Sequence, residues 1–84
     1  MKPIWQTDEN EKYASNCDFD HMNEIEITYG KFRAECSALC VTNITCTLYN
    51  WCNENNACAL KYGNPSDFKA SYNGYCFCGI VTRN

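Results

Sequence analysis

The order of apolar and polar residues predicts a short strand in the first half of the chain. In residues 25–29, Ile-Glu-Ile-Thr-Tyr, apolar and polar side chains alternate. This period of two is typical of a strand with one buried face. Gly30 follows directly and favours a turn, because glycine adopts backbone conformations that other residues avoid.

A helix is predicted over residues 31–41. Four residues are spaced i, i+4, i+7 and i+8, which places them on one helical face. They are Phe32, Cys36, Leu39 and Cys40. The charged residues of the same stretch fall mainly on the other side, and β-branched and turn-forming residues directly after the stretch end the helix.

Three further strands and two turns are predicted in the second half of the chain. Residues 46–52 and 57–62 are rich in β-forming side chains. The asparagines within 53–56 favour a turn between them, so the two strands form an antiparallel hairpin. Residues 63–67 form a loop and 75–81 a final strand. One helix is therefore expected to pack on a curved antiparallel sheet.

Residues 1–15 are predicted to be an extended arm, followed by a domain over residues 16–84. The arm is polar apart from Ile4, Trp5 and Tyr13, and it contains no cysteine. We expect its aromatic side chains to pack on the domain. Its start has no apolar run of the kind that a signal peptide needs, so we expect either a leader already removed or another export route.

Cysteine content narrows the fold to a small, disulfide-rich α+β class. Eight cysteines in 84 residues favour a disulfide framework, because a chain this short buries little apolar surface. Metal sites are disfavoured, since no C-x-x-C pair occurs and His21 is the single histidine. The cysteines are Cys17, Cys36, Cys40, Cys46, Cys52, Cys58, Cys76 and Cys78.

The cysteines and the charge also limit location and partners. Disulfides persist in oxidising compartments, so we expect a secreted protein or one at the extracellular surface. The formal net charge is −3, with both signs mixed along the chain. Without a cluster of Lys and Arg we expect no nucleic-acid partner, and without a long apolar stretch no membrane insertion.

We expect no catalysis and no cofactor. A Cys/His or Ser/His pair would need His21 beside an unpaired nucleophile, and oxidised cysteines offer no thiolate. The carboxylate pairs Asp18/Asp20 and Glu24/Glu26 are expected to be solvated on an exposed strand. No Gly-rich phosphate-binding loop is present.

Five short motifs, in order and with matching gaps, resemble PAN/apple domains of the kind common in fungal and oomycete secreted proteins. They cover about residues 16–81. The motifs are Asn16-Cys17-Asp18-Phe19 with Glu24-Ile25, Glu35-Cys36-Ser37-Ala38-Leu39-Cys40, Cys46-Thr47-Leu48-Tyr49-Asn50-Trp51, Cys58-Ala59-Leu60-Lys61 and Cys78-Gly79-Ile80-Val81. The resemblance implies a binding module that takes carbohydrate or protein.

The resemblance also implies a nested disulfide pairing, which the number of cysteines alone leaves open. The implied pairs are Cys17–Cys78, Cys36–Cys58 and Cys40–Cys46. Cys52 and Cys76 are additional to the family pattern, and we expect them to pair with each other. The alternation of side chains along a strand agrees with this fourth pair, because Cys52 is expected to share a strand face with Cys46, and Cys76 with Cys78. The alternative is that one or both reach another chain.

Several residues are candidates for binding a glycan or an extracellular protein. Aromatic rings stack on apolar sugar faces, and amides bond hydroxyls; the other candidates lie near the expected helix–sheet face or beside the matched motifs. The candidates are Asp20, His21, Tyr29, Tyr49, Trp51, Lys61 and Tyr62. Trp51 and Tyr49 have an alternative role in the core. Asn43 begins an Asn-x-Thr sequon, so we also expect glycosylation there.

A second hypothesis makes the chain a self-assembling subunit of an extracellular fibre, coat or adhesive matrix. In that case the arm, with Ile4 and Trp5, docks on a neighbouring copy, giving a homo-oligomer or filament through residues 1–15. A third hypothesis is a secreted inhibitor or toxin that presents the loop 63–72 to a target.

Overall fold

The computed structural model describes residues 3–83; Met1, Lys2 and Asn84, which belong to the predicted arm and domain, lie outside the described residues. The elements are β1 (Gln6–Thr7), β2 (Glu11–Phe19), β3 (Glu24–Thr28), α1 (Arg33–Thr42), β4 (Leu48–Cys52), β5 (Ala57–Lys61) and β6 (Ala70–Val81). The strands form one antiparallel sheet in the order β1-β2-β6-β4-β5-β3, and α1 covers one face of it. The predicted small, disulfide-rich α+β fold is confirmed.

The arm is more closely joined to the sheet than the sequence indicated. Residues 11–15, predicted as part of the arm, form the first half of β2 and pair with β6. β2 continues through Phe19, so it crosses the predicted boundary between Ser15 and Asn16. The expected packing of an arm aromatic on the domain is observed, because the ring of Trp5 stacks on Phe19 with 6.3 Å between centroids.

Each face of the sheet buries its own apolar cluster, because successive side chains of a strand point to opposite faces. The cluster beneath α1 consists of Cys36, Cys40, Cys46, Tyr49, Cys58 and Leu60. The cluster on the opposite face consists of Ala14, Cys17, Phe19, Leu48, Phe68 and Cys78. Phe32 was expected on the buried face of the helix, but it lies exposed at the residue before α1 begins.

Four disulfides join the elements, and no cysteine is free. The three pairs that the resemblance implied are confirmed, and so is Cys52–Cys76, which excludes an interchain role for these two residues in this structure. Cys76 and Cys78 share a face of β6 as expected, but the expectation that Cys52 shares a face with Cys46 was wrong, because Cys46 precedes β4 and lies beneath α1. Cys52 meets Cys76 because β4 and β6 place them directly opposite, with 4.0 Å between their Cα atoms.

The C-terminal end of α1 is capped from the far end of the chain. The last carbonyl groups of a helix have no partner within it and require donors from elsewhere. The Arg83 guanidinium donates to the carbonyl oxygens of Cys40, Val41, Asn43 and Cys46, at 2.5 to 3.0 Å. A positive charge there also complements the helix dipole.

Candidate functional site

A groove of about 170 Å³ opens on the face of the sheet opposite α1. Ala57 and Ala59 lie on its floor, because Cys58 and Leu60, which alternate with them on β5, point toward α1. The alanines leave room where larger side chains would fill the space. We call this space the His21 groove; its rim consists of Asp18, His21, Glu24, Ile27 and Tyr29.

The loop that carries His21, residues 20–23, is tied to the sheet at its first residue. The backbone N–H of Asp20 donates to the Lys69 carbonyl at 3.2 Å, and the Asp20 carboxylate accepts from the Lys69 N–H at 3.1 Å. Just before the loop, the buried Asn50 amide bonds both the N–H and the carbonyl of Phe19. Asp20, a predicted ligand residue, therefore positions the loop.

Lys61 holds the same loop from below. Its side chain is fully buried, and Nζ lies 3.3 Å from the Met22 carbonyl oxygen and 3.5 Å from Glu24 Oε1. A buried ammonium requires such partners, because removing it from water is costly. The adjacent backbone N–H of Tyr62 donates to the Asn23 carbonyl at 3.1 Å. These contacts fix the loop that presents His21 to solvent.

His21 is the most open polar group of the rim. Its side chain is 81 % exposed, and its ring nitrogens lie 3.9 Å from Asp18 Oδ2 and from Glu24 Oε1. These distances exceed hydrogen-bonding range, so the imidazole remains free to bond a ligand. The i, i+3 and i+6 spacing of Asp18, His21 and Glu24 is the sequence signal that could have identified this rim.

A bulge in β3 separates two carboxylates that the sequence placed on one face. The pairing of β3 with β5 shifts between Glu24 and Glu26, so Glu24 lies opposite Lys61 while Glu26 lies opposite Leu60. Residues opposite each other share a face, which turns Glu24 toward the His21 groove and Glu26 toward the helix side. Only one member of the pair therefore serves the groove.

Asp18 carries an unsatisfied oxygen. Its Oδ1 atom is buried and has no hydrogen-bond donor among residues 3–83. A buried acceptor without a donor typically costs about 1–3 kcal/mol. One carboxylate oxygen lies within 4.8 Å of the sulfurs of Cys52 and Cys76, but these are bonded to each other and offer neither a proton nor a thiolate.

Two predicted ligand residues lie on the helix side instead. Tyr49 is fully buried, and its hydroxyl donates to Glu11 Oε1 at 2.5 Å and accepts from Arg33 at 3.1 Å. Burial, then the hydrogen bond and charge of Glu11, raise the pKa of Tyr49 above its ordinary value. Trp51 is half-buried, and its Nε1 donates to the Lys31 carbonyl at 2.8 Å. Both residues have structural partners there.

A larger groove, of about 380 Å³, lies between α1 and the turn before β2. Its deepest polar group is Glu11, whose two oxygens accept from Tyr49 and from the Ser37 hydroxyl. Glu11 is also only 5 % exposed, so a ligand has little access to it. The His21 groove is smaller, but it contains the free imidazole, the carboxylates of Asp18 and Glu24 and the exposed ring of Tyr29.

The predicted site residues thus divide into three groups. His21 and Tyr29 line one groove; Asp20, Lys61 and Tyr62 hold the loop beside it; Tyr49 and Trp51 lie beneath α1. Asn43 is half-buried at the end of α1, where its Oδ1 accepts from the Thr45 N–H at 3.0 Å, and its glycosylation stays a prediction.

A search of family models and of curated proteins found no match to this chain. Within residues 3–83, no helix has the length and apolar character needed to cross a membrane. The fold and the groove therefore carry the functional argument.

Proposed function

We propose that this chain is a secreted, non-catalytic binding module of the PAN/apple kind, which takes part of a glycan or of an extracellular protein in the His21 groove. The observation that carries the proposal is the His21 groove itself, where a free imidazole, two carboxylates and an exposed aromatic ring meet. Cross-links and buried polar contacts hold the backbone that carries these groups in place before any ligand arrives, which lowers the entropic cost of binding.

The size of the groove supports recognition of a small group. Pockets that enclose whole drug-sized ligands usually span about 300–1,000 Å³, well above the size of this groove. A single sugar ring or side chain matches it better. Tyr29 supplies a flat apolar face, and Asp18 and Glu24 supply acceptors for hydroxyl or amino groups.

The inventory of reactive groups supports a non-catalytic role. All eight cysteines are oxidised in pairs, so none offers a thiolate nucleophile. His21 has carboxylates beside it, but within residues 3–83 no serine or threonine lines the groove, and the cysteine that does, Cys52, is bonded to Cys76. Disulfides, in turn, support an oxidising extracellular location.

Tyr29 provides a direct test with a matched control. Tyr29 and Tyr72 are exposed to nearly the same extent, 64 % and 65 %, but only Tyr29 lines the groove. We expect the oxidised protein to bind members of a glycan array or a panel of extracellular proteins. Tyr29→Ala should abolish that binding, and Tyr72→Ala should retain it. Absence of binding to either panel, or equal losses in both variants, contradicts the proposal.

Assembly through the arm is the second candidate, and the exposure of Ile4 favours it. The Ile4 side chain is 83 % exposed beside a groove that Tyr13 and Phe77 also line. Such an apolar side chain gains by burial in a neighbouring copy. If so, the native mass measured by light scattering exceeds that of one chain and returns to it in Ile4→Asp; a monomer at high concentration contradicts assembly.

A further inference from the structure

We infer that the group entering the His21 groove is a lysine or arginine side chain of a partner protein, an inference that rests on the proposed function. Two carboxylates, Asp18 and Glu24, face the groove. The buried Lys61 ammonium lies 3.5 Å from Glu24 and offsets its charge. Among residues 3–83, the charge of Asp18 has only the His21 ring nearby, at 3.9 Å. A cation completes this arrangement.

The Asp18 carboxylate, whose Oδ2 atom lies 3.9 Å from His21 Nε2, favours a charged donor over a hydroxyl. The side chain of Asp18 is only 15 % exposed, so water solvates its charge poorly. Hydrogen bonds between ionised partners are about twice as strong as neutral ones. An ammonium or guanidinium group that approaches Asp18 therefore gains more than a sugar hydroxyl in the same place.

The walls of the groove match the rest of a basic side chain. Ile27, Ala57 and Ala59 offer apolar surface for the methylene groups. Lysine and arginine bury such stems while their charged ends remain with polar groups. The Tyr29 ring at the rim adds a face on which a cation is attracted.

The free edge of β3 indicates how the side chain arrives. Among residues 3–83, β3 pairs only with β5 and ends the sheet, so its outer backbone groups can bond an added strand. Alternate side chains of that strand would face the groove. A second copy of β3 fits poorly, because its own Glu24 and Glu26 would meet the same charges. An extended basic segment of a different protein is complementary.

The experiment titrates the oxidised ¹⁵N-labelled chain with the blocked pentapeptide Thr-Val-Lys-Val-Thr, and with the same peptide containing norleucine in place of lysine. We expect the lysine peptide to shift the amides of residues 20–29 and 57–61, with weaker binding at higher salt. The norleucine peptide should bind at least about tenfold more weakly. Neutral monosaccharides form a separate arm of the titration.

Two variants test whether binding of the lysine peptide depends on the charge of Asp18 in the groove. Asp18→Asn preserves the shape of the rim and should weaken binding of the lysine peptide about tenfold. Glu26→Gln removes the same charge from the opposite face of β3 and should leave the affinity within about twofold, since screened surface charges contribute little. Loss of binding in Glu26→Gln to the same extent would overturn the inference, because net charge would then explain it.

The other outcomes separate the inference from the proposed function. Equal binding of the two peptides overturns the basic side chain as the ligand. Shifts of the same amides by a monosaccharide, with none from the lysine peptide, also overturn it but leave the proposed function standing. Absence of shifts from every ligand overturns the inference and removes the His21 groove from the proposed function.

Discussion

Glu11 and Asp18 lie on the same strand, β2, but on opposite faces of the sheet, and they differ in how their oxygens are hydrogen-bonded. Beneath α1, Glu11 is buried and accepts hydrogen bonds from Tyr49 and Ser37. In the His21 groove, Asp18 retains a buried oxygen without a donor among residues 3–83. One carboxylate contributes to stability, while the other has a buried oxygen without a donor, at some cost to stability. This division is typical of proteins whose binding sites are not optimised for folding.

The largest expected effect on stability comes from overpacking the core beneath α1, on the side of the sheet that Glu11 serves. A Cβ atom at Gly79 would overlap the ring of Tyr49, whose hydroxyl is held by Glu11 and Arg33. Gly79→Ala should therefore lower the free energy of unfolding by about 4 kcal/mol or more. Gly74→Ala is the control, because its nearest neighbour is the Tyr72 hydroxyl at 3.3 Å on an exposed side chain. Urea denaturation followed by tryptophan fluorescence compares them, and equal midpoints would refute the overlap.

A smaller effect tests whether Glu11 is truly committed to stability. Glu11→Gln keeps the shape of the side chain but replaces charged acceptors by a neutral amide. Two charge-assisted hydrogen bonds are weakened, so we expect a loss of about 2 kcal/mol in the free energy of unfolding. The exposed Glu9 provides the control, and Glu9→Gln should change stability by less than about 0.5 kcal/mol. A loss no larger than the control's would mean that the network contributes nothing measurable.

The dependence of stability on alkaline pH tests the same buried network through Tyr49. Its raised pKa means that the folded chain retains a proton which the unfolded chain releases above about pH 10. The free energy of unfolding therefore falls as pH rises past that value. Between about pH 9 and 11 we expect the native sequence to lose about 1 kcal/mol more than Tyr49→Phe. Parallel pH profiles of the two proteins would contradict a buried, protonated Tyr49.

The smallest effect concerns the groove. Asp18→Asn removes an under-solvated charge that has no hydrogen-bond donor to its buried oxygen. We expect the free energy of unfolding to stay level or rise by up to about 1 kcal/mol. The contrast with Glu11→Gln is the sharpest form of the comparison, because both changes neutralise a carboxylate on β2. A loss in Asp18→Asn as large as in Glu11→Gln would make both residues structural.

Elements with a regular apolar pattern were predictable from the sequence, whereas β2 was not. The spacing of Cys36, Leu39 and Cys40 indicated α1, and alternation indicated β3. In β2 a charged residue, Glu11, occupies a buried position, and no local pattern reveals that Tyr49 and Ser37 will meet it. Lys61 is hidden in the same way, since its partners come from the distant loop around Met22.

The His21 groove depends on backbone irregularities that composition does not show. Asn23 adopts a positive φ of 55° beside His21, and the bulge in β3 separates Glu24 from Glu26. The sequence indicated His21 and Tyr29 individually, but not that Asp18 and Glu24 would join them. Without the bulge, side chains along β3 would alternate strictly and both glutamates would lie on one face. Glu24 would then not be separated from Glu26 and turned toward Asp18 and His21.

The place of β6 in the sheet has a consequence for the order in which the protein is made. β6 comes last along the chain but lies in the middle of the sheet, between β2 and β4. Until residues 70–81 leave the ribosome, β1–β2 and β4–β5–β3 are two separate ladders. Arg83, which caps α1, emerges later still. Before β6 is synthesised, the two ladders therefore cannot join into one sheet. At that stage only the Cys40–Cys46 and Cys36–Cys58 pairs have both of their cysteines available.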